Sequence, residues 1–152
     1  LGGQRGRGRE LCEKGKLPQS WNLALFGTCC LRRHHQIMPF VKCIYSGDEG
    51  VKNELCRALS KAVAAALGKP EAYVCVHVEC SDSIMFAGTL DPCSFITVHC
   101  MGGSLVSVVG PLTSALEEVA GVPSHRCFIN FTRFGPDCFA LDGELLLLSG
   151  LA

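Results

Sequence analysis

The feature of this sequence that most restricts its fold is an internal repeat with a fixed offset of 53 residues. Four pairs of residues follow this offset: Pro39 and Pro92, Gly68 and Gly121, Pro70 and Pro123, Val76 and Ile129. In each copy, an apolar run typical of a strand precedes a helical pattern, and a second such run follows it. The sequence is therefore interpreted as a β-α-β unit that is present twice.

The first copy predicts strands at 40–45 and 73–78 on either side of an amphipathic helix. The apolar residues of this helix are spaced to form one face: Val51, Leu55, Leu59, Ala62, Val63, Ala66 and Leu67. Gly68 and Pro70 then end the helix, because glycine favours the position after the last turn and proline cannot continue it.

The second copy predicts strands at 95–101 and 127–131 and a helix opened by Ser107 and Pro111. Gly121 and Pro123 close this helix, and its apolar face comprises Leu112, Ala115, Leu116, Val119 and Ala120. The predicted fold class is α/β (α+β), a duplicated β-α-β with a four-stranded sheet. Both helices are expected on one face of the sheet, because successive crossovers share a hand.

The second face of this predicted sheet is also fairly apolar. Cys75 and His77 lie on one side of their strand, opposite the alternating valines at 74, 76 and 78. The strand at 95–101 likewise alternates between two sets of residues, neither of which is strongly polar. Because the helices cover one face only, the other is expected to pack in a closed, symmetric homo-oligomer.

Residues 1–38 differ from the rest of the chain in charge and pattern. They hold seven basic and two acidic residues, a net charge of +5, whereas residues 39–152 carry −5. The first methionine is Met38, and the segment before it has no sustained period. We expect residues 1–38 to be a disordered or non-native extension and 39–152 to be the folded domain. A targeting peptide in residues 1–37 or a genuine tail are the alternatives.

Composition excludes several classes of function. Zero net charge and a pI near 7.1 argue against a dedicated nucleic-acid binder, and no apolar run reaches the length of a membrane span. The eleven cysteines are odd in number and form no C-x-x-C, so we interpret them as reduced. A cluster of Cys29, Cys30, His34 and His35 fits no common ligand spacing, and neither a metal nor a cofactor is expected. The expected location is the cytoplasm.

Four separated blocks of sequence resemble those of a known family in their order and spacing. They lie at 38–41, 67–78, 86–93 and 126–131. They begin with Met-Pro-Phe-Val and end with Arg-Cys-Phe-Ile-Asn-Phe. Over residues 38 to about 134, the chain resembles the macrophage migration inhibitory factor and D-dopachrome tautomerase family of the tautomerase superfamily. The resemblance implies a homotrimer of β-α-β-β-α-β subunits.

The resemblance also implies an isomerase whose general base is an N-terminal proline, here Pro39, exposed once the preceding methionine is removed. A buried amine near a positive charge is harder to protonate, so its pKa falls from about 7.7–8.0 toward working pH. The implied substrate is a phenylpyruvate-like α-keto acid or its enol, with Lys69 binding the carboxylate. The Met101 N–H and Asn130 of a neighbouring subunit would flank the pocket. Tyr73 and Phe128 would form its aromatic wall.

Each of these residues also has a purely structural explanation. Pro39 could simply start a strand, as Pro92 does in the second copy, and Lys69 sits where a helix C-terminus favours a cation. Asn130 needs a hydrogen-bond partner in a core as well as in a site. His77 and His99 are interpreted as packed strand residues.

The chain departs from the family pattern at several points. Phe128 stands where the cytokine members usually have tyrosine, and Cys93 is the one cysteine kept from the family's C-x-x-C. The C-terminal stretch Leu145 to Leu148 replaces the expected ending. The alternative function is a cytokine-like secreted interaction protein with a vestigial or blocked active site. Its partner would be a cell-surface receptor, reached by export without a classical signal peptide.

Overall fold

The fold is seen in a computed structural model that describes residues 38–101, 104–141 and 143–145. Residues 1–37 of the predicted extension lie outside the described residues. The helices and strands, in chain order, are β1 (Phe40–Tyr45), α1 (Lys52–Leu67), β2 (Cys75–Cys80), β3 (Ser94–Cys100), α2 (Val106–Ala120), β4 (Cys127–Arg133), β5 (Ala140–Leu141) and β6 (Glu144–Leu145).

The four long strands form one sheet in the order β2-β1-β3-β4. Within each repeat the two strands are parallel, as a β-α-β crossover requires: β1 pairs with β2, and β3 pairs with β4. The two repeats meet where β1 and β3 run antiparallel. The predicted α/β fold, a duplicated β-α-β with a four-stranded sheet, is confirmed.

Both helices pack on the same face of this sheet. Alternate residues of β1 are fully buried, so one side of that strand faces the core. The hydrophobic core combines these β1 residues with residues of the other strands, of both helices and of the chain after α2. Its members are Val41, Cys43, Tyr45, Leu55, Leu59, Val63, Val78, Ile96, Val98, Val108, Leu112, Ala115, Leu116 and Val122. The two apolar stripes predicted for the helices therefore meet the sheet on one side.

The ends of the two helices repeat the same geometry. Gly68 ends α1 at φ 62° and Gly121 ends α2 at φ 65°, in the left-handed region that glycine adopts without a Cβ clash. The N–H of Gly68 donates to the carbonyls of Ala64 and Ala65, and the N–H of Gly121 donates to those of Leu116 and Glu117. Both closures predicted from Gly and Pro are present in the structure.

The starts of β2 and α2 differ from the prediction, and β2 and β4 each extend two residues beyond their predicted ends. Tyr73 was expected in a strand but lies in a one-turn 3₁₀ helix, Glu71–Tyr73, so β2 begins at Cys75. Pro111 was expected to open the second helix but lies inside α2, which begins at Val106. Ser107 donates from its hydroxyl to the carbonyls of Ser104 and Ala66, which helps to hold this first turn. The predicted break at 102–103 lies outside the described residues.

The face of the sheet opposite the helices is called the outer face. Its residues are Phe40, Lys42, Ile44, Cys75, His77, Glu79, Phe95, Thr97, His99, Phe128, Asn130 and Thr132, as strand alternation and register require. Phe95 and Phe128 stack here with their ring centroids 5.5 Å apart. They are 37% and 51% exposed in the single chain, so this face presents aromatic surface to whatever lies beyond it.

Three further properties hold for residues 38–101, 104–141 and 143–145. Neither helix there is long and apolar enough to cross a membrane. The cysteines in these ranges are free thiols, and no group of three or more His, Cys, Asp or Glu side chains is placed to hold a metal ion. The cluster at residues 29–35 lies outside them.

Candidate functional site

A cavity of about 430 Å³ opens where β1 begins. It is lined by Met38, Pro39, Phe40, Tyr73, Cys75, His99, Phe134, Cys138 and Phe139. These residues come from the starts of β1 and β2, from the end of β3 and from the chain after β4. The wall is mostly apolar with a few polar groups, which is the common composition of small-molecule sites.

The sheet register brings three of these residues into one row on the outer face. Phe40 lies opposite Cys75 of β2 on one side and opposite His99 of β3 on the other. The N–H of Cys75 donates to the carbonyl of Pro39 at 3.0 Å, which holds Pro39 at the start of the parallel pair β1–β2. The row forms the floor of the cavity.

The chain after β4 supplies another part of the wall. The N–H of Phe134 donates to the carbonyl of Cys100 at 3.1 Å, so this segment remains attached to the end of β3. The ring of Phe134 then stacks on His99 with centroids 5.5 Å apart, and Phe139 meets Phe134 edge-on at 5.7 Å. A connected group of aromatic rings therefore lines the apolar space next to Pro39.

Pro39 is buried, whereas Met38 is half-buried, and both line the cavity. In the chain as it stands, the Pro39 nitrogen belongs to an amide with Met38. Its lone pair is delocalised into the carbonyl and is not available to accept a proton, so this nitrogen cannot serve as a base. Basicity at this position requires a chain that begins at Pro39.

Of the other residues predicted for the site, Tyr73 also lines the cavity. Lys69, Met101, Phe128 and Asn130 are not among the residues that line it in the described part of one chain. Lys69 follows the end of α1 and its backbone N–H donates to Ala64 at 2.9 Å, while Met101 follows β3. Phe128 and Asn130 are exposed on the outer face of β4, opposite Phe95 and Thr97.

The cavity wall carries no Asp, Glu, Lys or Arg side chain from the described residues. Its polar groups are the Tyr73 hydroxyl, the His99 imidazole and the thiols of Cys75 and Cys138. A carboxylate bound here would need a cation from beyond this wall, because an unpaired charge in an apolar space is costly.

Several lining residues were not predicted as site residues from the sequence. His99 was interpreted as packing, and the structure shows that it does pack between two rings while also lining the cavity. Its place opposite Phe40 would have indicated the cavity once the β1–β3 register was known. Phe134, Cys138 and Phe139 have no local signal, because only the return of the chain after β4 brings them here.

Comparison with known proteins agrees with this architecture. The family model of macrophage migration inhibitory factor matches residues 38–146. A macrophage migration inhibitory factor homolog of Brugia malayi is 30% identical over 106 residues, covering 64% of this chain and 88% of the relative. The macrophage migration inhibitory factor of Xenopus tropicalis is 27% identical over 116 residues, covering 70% of this chain and 97% of that protein.

Solved structures lead to the same family. The macrophage migration inhibitory factor of Toxoplasma gondii superposes with a TM-score of 0.60 at 32% identity, covering 68% of this chain and 97% of its own. The homologue from Prochlorococcus marinus superposes with a TM-score of 0.65 at 26% identity, covering 70% and 98%. Because the family model spans most of the chain and the fold agrees, this chain belongs to the macrophage migration inhibitory factor family.

Proposed function

We propose that this protein is a keto-enol tautomerase for phenylpyruvate-like α-keto acids, with the amine of Pro39 as its general base. The observation that carries the proposal is that Pro39 is buried and lines an aromatic cavity together with Tyr73. The proposal requires that residues 1–38 be absent from the active form, so that residue 39 is the N-terminus.

The proposed chemistry follows from that amine. Burial disfavours the protonated form of an amine, so a free Pro39 would be unprotonated over more of the neutral range than an exposed terminus. It would take the proton from C3 of the keto acid, and the C–H electron pair would become the C2–C3 double bond as the carbonyl pair moves to oxygen. Transfer of that proton from the Pro39 ammonium to the C2 oxygen gives the enol and restores the free amine. The same steps in reverse convert the enol to the keto acid, and neither direction needs a cofactor.

The proposed carboxylate partner is Lys69, which lies four residues before Tyr73. The charge of the substrate needs such a cation, since the described cavity wall supplies none. The proposed site also includes three residues that would reach the pocket at its edge or from a neighbouring subunit: Met101, Asn130 and Phe128. Their places on the outer face and at its edge support this arrangement, because a neighbouring subunit would pack there.

The accompanying proposal is that the subunit assembles as a homotrimer. The exposed Phe95–Phe128 stack, together with the half-buried Phe40 and Ile44, makes the outer face a surface that a second subunit could cover. Large exposed apolar patches are uncommon on monomers and usually mark interaction sites. The site is then complete only in the assembled form.

The test uses protein expressed from Met38, with the mass showing that the chain begins at Pro39. Interconversion of keto and enol phenylpyruvate, followed by ultraviolet absorbance, should be catalysed by this preparation. Pro39→Gly keeps an amine but loses the ring, and its rate should fall at least about tenfold, since a positioned general base contributes about 10²–10⁴-fold. Pro92→Gly, at the equivalent position of the second repeat, is the matched control and should keep the parent rate.

An unchanged rate in Pro39→Gly would reject Pro39 as the base. Absence of turnover in the Pro39-start protein would reject the enzymatic proposal altogether. It would favour the second candidate, an interaction protein in which the cavity has no catalytic role.

A further inference from the structure

The imidazole of His99 occupies an unusual position in the wall of the cavity. It lies between two aromatic rings, with centroid distances of 5.6 Å to Phe40 and 5.5 Å to Phe134 and interplanar angles of 25° and 21°. One near-parallel ring from β1 and one from the chain after β4 therefore pack against the imidazole. Because stacking uses the faces of a ring, it leaves the ring edge, where both nitrogens lie, for contact with the cavity.

Those nitrogens have no hydrogen-bond partner among the described residues. The polar groups that line the cavity with His99 are the Tyr73 hydroxyl and two thiols. A thiol is a weak donor, whereas a neutral imidazole always carries one N–H that can donate. His99 and Tyr73 are therefore the effective hydrogen-bond donors in this part of the wall.

The reaction proposed above places an oxygen where such a donor is needed. As the proton leaves C3, negative charge develops on the C2 oxygen of the keto acid. Burying a charged oxygen in an apolar cavity without a hydrogen-bond donor is strongly unfavourable. A donor that is already held in place stabilises this oxygen without any rearrangement of the protein during the reaction. Neither Asn130 nor Met101 lines this cavity within one chain. The described wall therefore needs another hydrogen-bond donor for the C2 oxygen.

We propose that His99 donates a hydrogen bond from its ring to the C2 oxygen of the bound substrate, an inference that rests on the proposed function of this cavity. The stacking of Phe40 and Phe134 fixes the plane of the ring and hence the direction of the N–H. In this role His99 selects ligands that carry oxygen at C2 over those that do not.

The test compares two ligands that cannot tautomerise. Phenyllactate carries a hydroxyl oxygen at C2, and 3-phenylpropanoate is the same acid without it. Calorimetry on the Pro39-start protein should show that phenyllactate binds about 3- to 10-fold more tightly, the value of one neutral hydrogen bond. His99→Phe keeps an aromatic ring without a donor and should abolish the preference, while His99→Gln restores an N–H and should recover part of it.

The matched control is His125→Phe, the same substitution at an exposed histidine in the turn before β4, which should keep the parent preference. A second measurement needs no substitution in the protein that is tested. The ¹⁵N resonances of His99 should shift on binding phenyllactate and not on binding 3-phenylpropanoate, with His99→Gln used to assign them.

An equal preference in the parent and in His99→Phe, unshifted His99 resonances, or failure of both acids to bind would overturn the inference. Phenylpyruvate turnover is measured separately on the same preparations. If the ligand preference depends on His99 but no turnover occurs, the proposed reaction is wrong and the His99 contact stands. If turnover occurs but the ligand preference does not depend on His99, the proposed reaction stands and the proposed His99 contact is wrong.

Discussion

At the scale of single residues, Cys43 shows how burial changes the chemistry of a side chain. It lies in the middle of β1 with no exposed surface, and this burial raises the pKa of its thiol from 9.0 to about 12, with a smaller contribution from Cys127. In the unfolded chain the thiol would ionise near its ordinary value. Folding is therefore favoured by protonated Cys43, and this contribution is complete below about pH 9 and is lost as the pH rises toward 12.

This difference predicts alkaline sensitivity that is specific to one residue. Between pH 9 and pH 10, the free energy of unfolding should fall by about 1 kcal/mol more in the parent protein than in Cys43→Ala. Urea unfolding under reducing conditions at fixed protein concentration measures both slopes. Cys138→Ala removes an exposed thiol and should keep the parent slope; a Cys43→Ala slope equal to the parent's would show that this thiol ionises normally in the fold.

The sequence predicted some residues of the cavity and missed others. Pro39 and Tyr73 were predicted from the family resemblance, and both line the cavity. His99 was interpreted as packing because alternation in a strand tells which face a residue occupies but not what lies across from it. Phe134 and Phe139 could not be placed, because their contacts depend on where the chain returns after β4.

At the scale of secondary-structure elements, the two helix ends are the clearest result of the duplication. Gly68 and Gly121 both adopt positive φ, and a Cβ at either position would meet no atom within 4 Å. Steric crowding therefore does not explain the need for glycine at these positions. The backbone conformation does, because an L side chain is disfavoured there whatever the space around it.

Chemically identical substitutions should therefore have different effects at different glycines. Gly68→Ala and Gly121→Ala should each lower the free energy of unfolding by about 1 kcal/mol. Gly110 lies inside α2 with no positive φ, so alanine would gain helix propensity there, but its Cβ would face the ring of Pro111. The two effects oppose each other, and Gly110→Ala should leave that free energy within about 0.5 kcal/mol of the parent value. Urea denaturation of the three variants decides the point, and destabilisation of Gly110→Ala to the same degree would contradict it.

Most elements could be predicted from local pattern, and the exceptions have physical reasons. The bounds of β1 and the closure of both helices agree with the sequence because apolar alternation and Gly-Pro signals are local. Pro111 was misplaced because a proline within the first turns of a helix has the same local signature as one at its start. The short pair β5–β6 had no clear signal, since two residues a strand are too few for a period.

At the scale of the whole molecule, the outer face of the sheet is left uncovered in the single chain. The helices cover one face of the sheet, while Phe95 and Phe128 remain 37% and 51% exposed on the other. Phe128 and Asn130, both predicted for the site, lie on this face rather than in the cavity. Their placement there is understandable if a neighbouring subunit brings its own cavity to them.

The homotrimer stays a prediction, and one substitution tests its basis. Light scattering on residues 39–152 should give three times the subunit mass. Phe95→Lys introduces a charge into the outer face and should give a folded protein of one subunit mass, because burying an unpaired charge is costly. Val106→Lys changes an 85% exposed valine on α2 and should leave the trimer intact. A parent protein that is monomeric at micromolar concentration would reject the proposed assembly.

The nitrogen of Pro39 is an amide in the longer chain and an amine in the shorter one, and the proposed catalysis depends on this difference. The most direct measurement is phenylpyruvate tautomerisation by residues 1–152 and by residues 39–152 under one assay, with intact mass confirming both N-termini. The account predicts no catalysis by the longer chain and catalysis by the shorter one, since an amide nitrogen cannot accept the proton. Equal turnover by an intact 1–152 chain would contradict the account, because the base would then be a group other than Pro39.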